Sequence, residues 1–202
     1  MYYLNKENDV KQFDNPKDFV TEYVKSFRKK YGVISSKEIE KMIIDLKSQF
    51  ELVKDFDYNS KKSRLADSIS DKRATSEIIA ELLLLTLFND KNVSARKFLI
   101  IVSDSSIPEG AIGSTTNQIQ HYGICFKVDG EKDFERYLDI DRTFNSIGEV
   151  EFFSNEGIRA EYKKDFYFSI ISRIYNIKAN SFDEFYDEII KYSDKAEPSK
   201  LV

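Results

Sequence analysis

The chain of 202 residues has no tryptophan, one cysteine, one histidine, three prolines and seven glycines. A lone cysteine, Cys125, has no partner for an internal disulfide, and one cysteine with one histidine falls short of the four ligands of a structural zinc site. So few prolines and glycines argue against a low-complexity or disordered chain. No apolar run approaches the roughly 18 to 20 residues needed to cross a bilayer. The longest, Ile78 to Leu85, is interrupted by Glu81. Nor is one sign of charge in surplus: 31 basic residues stand against 35 acidic ones, a formal net charge of −4. That near balance excludes a broad electrostatic footprint for nucleic acid or for an anionic membrane. The first eight residues, Met-Tyr-Tyr-Leu-Asn-Lys-Glu-Asn, lack the basic segment, apolar block and small-residue cleavage site of a secretory signal, so a cytoplasmic location is expected.

What is present is enough apolar material for a sizeable core, with 41% of residues hydrophobic. Asn15-Pro16 reads as a helix start, and Phe19, Val20, Tyr23, Val24 and Phe27 recur at helical spacing up to a stop at Gly32. Ser35 with Glu38 resembles a capping box, followed by Ile39, Met42, Ile43, Leu46, Phe50 and Val53 on one side of a second helix. Residues 55–73 turn polar and read mostly as loop. A third helix over 75–88 is apolar on nearly every side, which predicts a central position. Its first turn holds Thr75, Ser76 and Glu77, residue types that cap helices.

Lys97 to Val102 has the length of a strand, and residues 103–120, with Pro108, Gly110 and Gly113, read as a long loop of the kind that often carries function. From His121, Tyr122, Ile124, Phe126 and Val128 alternate with less apolar residues, predicting a strand with one core face. Asp129-Gly130 signals a turn, and Arg136 to Asp141 the returning strand. A three-residue loop centred on Gly130 places Asp139 opposite His121, and a five-residue loop places Asp141 there instead. Both put an aspartate on the face of the only histidine, with Cβ atoms about 5 Å apart. Further on, 149–153 reads as a strand, Phe166, Ile170, Ile171 and Ile174 suggest a helix, and Ser181 with Glu184 opens a last helix carrying Phe185, Ile189 and Ile190. The expected organisation is an N-terminal helical segment over 1–54 packed on the core, an α+β domain over 55–192, and a tail over 193–202.

The order of a central helix, a strand, a strand beginning with His and a returning strand carrying Asp resembles the transglutaminase-like (papain-like) cysteine enzymes. Ser76-Glu-Ile-Ile-Ala80-Glu-Leu-Leu-Leu-Leu85 and Asn92-Val-Ser-Ala-Arg96 look like that family's nucleophile helix and its G-I-P-A-R segment. His121-Tyr-Gly-Ile-Cys-Phe-Lys-Val128 and Arg136-Tyr-Leu-Asp139 look like its H-x-W-x-x-V and W-Y-x-L-D motifs. The resemblance spans about residues 65 to 145 and is stronger in order and spacing than in identity. It implies a central buried helix packed on an antiparallel sheet, with further helices at both ends. It also implies acyl-transfer chemistry at Ser76, His121 and Asp139, or Asp141, as nucleophile, base and orienting acid. A protein or peptide is the implied substrate or partner, with no cofactor and no metal.

The chain departs from that pattern at the decisive position. Ser76 stands where the family has cysteine, and Ala74-Thr75 where glycine and a polar residue are common. A helix N-terminus and a nearby imidazolium lower a thiol's pKa into the neutral range. A serine hydroxyl is not ionised that way and needs its proton removed during attack. Ser76 therefore reads in three ways: an engineered replacement of cysteine, a natural serine nucleophile, or the mark of a pseudoenzyme. Taken alone, Ser76 also reads as a helix cap and His121 as a polar surface group. Cys125 lies about 13 Å along the strand from His121, too far for a dyad, and reads as a half-buried thiol. Lys61-Lys62 reads as solvated surface.

Overall fold

A computed structural model describes residues 1–6, 9–54, 57–103, 118–131, 135–146, 150–165 and 168–193. A hairpin, β1 (Tyr2–Lys6) with β2 (Asp9–Phe13), precedes helices α1 (Pro16–Arg28) and α2 (Ser36–Gln49). Both helices start where the sequence predicts. The Asn15 side chain accepts the Lys17 N–H at 2.9 Å, and the Ser35 hydroxyl accepts the Glu38 N–H at 3.3 Å. Two-residue strands β3 (Glu51–Leu52) and β4 (Arg73–Ala74) pair in parallel on either side of α3 (Arg64–Asp71). Then comes α4 (Ser76–Leu87), in which every residue except Glu77 is buried.

The main sheet has four antiparallel strands: β5 (Val93–Ser103), β6 (Gln118–Val128), β7 (Arg136–Asp139) and β8 (Phe168–Tyr175), in the order β7-β6-β5-β8. Helices α5 (Ile140–Asn145) and α6 (Asn155–Asp165) follow β7, and α7 (Phe182–Ser193) follows β8. The protein is thus α+β, with seven helices among the described residues. Helix α4 packs on one face of the sheet, where Ile124, Phe126 and Val128 join a core shared with α1, α2, α4 and α7. The other face carries Phe98, Ile100, Val102, Cys125 and Tyr137, covered by Ile158 and Tyr162 of α6. Both faces are therefore dry, and Cys125 is fully buried rather than half-buried. Among the described residues no helix is long and apolar enough to cross a membrane.

Several local expectations give way. The polar stretch read as loop contains α3, whose short apolar stripe of Leu65, Ala66 and Ile69 is buried together with Arg64, Asp67 and Ser68. Of the strand expected at 149–153, only Phe153 pairs among the described residues, in a single bridge to Tyr137, and 149 lies outside them. The helix expected from Ile170, Ile171 and Ile174 is strand β8. Ile171 pairs with Ile100 and Ile174 with Phe98, so an extra residue between them puts two residues three apart on one face. A β-bulge thus imitates a helical period. The loop expected at 103–120 lies, over 104–117, outside the described residues, as do 194–202 of the expected tail.

Candidate active site

Helix α4 begins at Ser76. Thr75 caps it, its hydroxyl accepting the Ile78 N–H at 3.4 Å, so Ser76 is the first helical residue rather than the cap. The Ser76 side chain is buried, and its hydroxyl faces the Asp141 carboxylate and favours its charged form. The Tyr122 backbone N–H donates to the same carboxylate at 3.3 Å. Among the described residues no hydrogen bond joins Ser76 to His121; the Asp141 carboxylate is influenced by both, its charged form favoured by the Ser76 hydroxyl and by the imidazolium.

His121 pairs with Ile100 in the ladder and therefore shares the α6 face of the sheet. Its Nδ1 lies 3.2 Å from Asp139 Oδ2 and 2.9 Å from the Tyr162 hydroxyl oxygen. Tyr162 in turn donates to Asp139 Oδ2, and the Arg142 N–H donates to Asp139 Oδ1 at 2.8 Å as Asp139 caps α5. The expected facing pair is displaced by one step. Asp139 pairs with Gly123, so His121 and Asp139 are diagonal neighbours on one face. The register is that of the longer loop: Glu131 is drawn out past Gly130 to accept the Ser36 N–H at 2.8 Å and to bind Arg136 at 2.9 Å. Asp141 lies beyond the end of β7, in α5, and turns to Ser76 instead.

Burial opposes charge on His121, but the hydrogen bond and charge of Asp139, with the charge of Asp141, overcome it and raise the imidazole's pKa above 6.5. Burial likewise pushes the Asp141 carboxyl up, aided by Asp139 and resisted by His121, Ser76 and the Tyr122 amide. Beneath the first turn of α4, fully buried Lys97 donates to Glu77 and Glu81 at 2.7 Å each, and buried Arg64 donates to Glu81. Burial and the charge of Glu81 raise the Glu77 carboxyl against the pull of Lys97 and Arg64. Cys125 is pushed up to about 12, chiefly by burial, and is an inert thiol.

Ser76, Glu77, His121, Tyr122 and Asp141 line one cleft of about 760 Å³, closed on another side by Leu52, Val53 and Lys54. No protein-family model, curated protein or solved structure matches the chain. The site is accordingly read from its own geometry. Ligand atoms of His121, Asp139 and Asp141 lie within 4.8 Å of one another. Those carboxylates already accept from Tyr162, Arg142 and Tyr122, and no metal role is assigned to them.

The sequence reading missed Tyr162 because α6 offers only Ile158 and Tyr162 as large apolar residues, four apart in a mostly polar stretch. The one local signal is Ser154, whose hydroxyl accepts the Gly157 N–H at 3.0 Å in the manner of a helix cap.

Proposed function

We propose that the chain is a transglutaminase-like acyl-transfer domain with Ser76 at the nucleophile position, His121 as base and later acid, and Asp139 as the group that orients the imidazole. The observation that carries this reading is the His121–Asp139 contact at 3.2 Å, opening on the cleft that also holds the N-terminus of the buried central helix. With Nδ1 turned to Asp139 and Tyr162, Nε2 is the nitrogen left for chemistry in the cleft. In the acyl-transfer step Ser76 Oγ attacks an amide carbon and passes its proton to Nε2, which then protonates the leaving amine. Water hydrolyses the acyl-enzyme, giving protease or deamidase chemistry, or an amine captures it, giving a cross-link. A protein or peptide is the proposed substrate.

A second reading, a non-catalytic module that binds a protein or peptide in the same cleft, draws support from His121 having its hydrogen-bond partners, among the described residues, in Asp139 and Tyr162 and not in Ser76. Replacing Ser76 by cysteine separates the two. A retained acyl-transfer site makes the new thiol react with iodoacetamide near neutral pH and makes that reaction depend on His121. A thiol no faster than an ordinary exposed cysteine, with or without His121, leaves the binding module as the better reading.

A further inference from the structure

Asp139 has two oxygens and three donors to satisfy. Oδ1 takes the Arg142 amide, which leaves Oδ2 to both the Tyr162 hydroxyl and His121 Nδ1. A phenol has one proton, and Tyr162 spends it on Asp139, so toward His121 its oxygen acts as an acceptor. That oxygen is 2.9 Å from His121 Nδ1, closer than Asp139 Oδ2 at 3.2 Å. Nδ1 consequently faces two acceptors and no donor, and carries the proton in both charge states of the ring. Tyr162 is buried in the layer between α6 and the sheet, with Ile158 one turn before it in the same apolar cluster. Its ring stands edge-on to the imidazole at 5.7 Å between centroids.

We propose that Tyr162 is a positioning residue of the candidate site: its hydroxyl oxygen accepts the His121 Nδ1–H while its proton anchors Asp139, so that Nε2 is fixed as the nitrogen facing the cleft. This rests on the acyl-transfer reading for its purpose, though not for its geometry. The arrangement divides the Asp139 charge between two donors, which restrains how far the aspartate favours the imidazolium. The charged or titratable groups around the ring are Asp139 and Tyr162 on the Nδ1 side and Asp141 from α5, with Glu77 and Lys54 lining the same cleft.

The single histidine makes the test direct. Ring ¹⁵N shifts of the full chain, followed through a pH titration, are expected to show the neutral His121 as the Nδ1–H tautomer. Tyr162→Phe removes both functions of the hydroxyl. It returns the undivided Asp139 charge to the ring, so the midpoint is expected to rise by about half a pH unit. Difluorotyrosine at position 162, a stronger donor of the same shape, is expected to move the midpoint down, a change of sign that a merely structural role does not produce. A wild-type Nε2–H tautomer overturns the proposal, as do midpoints that stay the same, or move the same way, in both variants. Iodoacetamide reaction of Ser76→Cys, run beside the titrations, reports on the acyl-transfer reading independently. An inert thiol with the predicted shifts at His121 removes that reading and leaves the positioning role; a reactive thiol with unmoved shifts does the reverse.

Discussion

Gly123 stands opposite Asp139 in the β6–β7 ladder, and a Cβ on Gly123 would sit 2.6 Å from the Phe98 ring and collide with the Leu138 carbonyl oxygen. The missing side chain lets β7 close over the sheet at the point where it passes into α5, and that closeness brings Asp139 beneath His121. A glycine in mid-strand thus serves close backbone approach rather than a turn. Gly123→Ala is expected to cost about 1–3 kcal/mol, as overpacking does in a dense core. Because β7 must move to relieve it, the His121 midpoint is expected to fall in the same variant. Urea unfolding reads the first and a histidine NMR titration the second.

The raised pKa of His121 gives a pH signature with a definite sign. A group whose folded pKa lies above its unfolded value stabilises the fold fully below the unfolded value, here 6.5, and loses that contribution as pH rises through the folded midpoint. Asp139→Asn removes the main partner of the imidazolium. The variant is therefore expected to lose more stability at pH 5.5 than at pH 8.5, on top of a pH-independent loss from altered capping of α5. Its His121 midpoint is expected to move down. Equal losses at both pH values would assign Asp139 to the α5 cap alone and leave Asp141 as the partner of His121.

Lys97 is wholly buried, with two carboxylates at 2.7 Å and the Tyr175 ring centroid 4.6 Å from its ammonium. Removing one member of such a network strands the others without water. Lys97→Met is expected to cost about 3–5 kcal/mol in chemical unfolding. Lys97→Met combined with Glu81→Gln is expected to cost less than the sum of the single changes, because the uncompensated charge is removed with its partner. Additive losses would mean that Lys97 and Glu81 are not coupled.

For Ser76→Cys, the N-terminus of α4 and the imidazolium favour thiolate, while Asp141 opposes it. The first two are expected to prevail and to give alkylation at pH 7 at least about tenfold faster than an ordinary exposed thiol. Cys125, buried and held near 12, serves as the unreactive control in the same chain. His121→Ala is expected to bring the rate back to that of an ordinary thiol. Asp141→Asn is expected to raise it, which distinguishes the two charges that face the position.

Local pattern alone determined where α1, α2 and α4 start, because each carries its own cap, with an apolar period in α1 and α2 and an unbroken apolar run in α4; α2 nevertheless ends at Gln49, short of the expected Phe50 and Val53, where the chain turns into β3. It also determined that an aspartate and His121 share a face, since a shift of two residues in an antiparallel ladder leaves side-chain parity unchanged. The register within that parity was decided elsewhere, by Glu131 reaching Ser36 of α2 and by the close approach that Gly123 allows. Helix α3 was illegible because its apolar stripe is only Leu65, Ala66 and Ile69, set among polar residues whose burial depends on partners far along the chain, Glu81 for Arg64 and Tyr2 for Asp67. Strand β8 was misread because its bulge gives Ile171 and Ile174 the spacing of a helix face. Tyr162 stayed hidden for the simplest reason: 23 residues beyond Asp139, it meets that carboxylate only once α6 folds back over the sheet. Periodicity is a property of neighbours in the chain, whereas the two acceptors at His121 Nδ1 come from β7 and α6, and only packing brings those together.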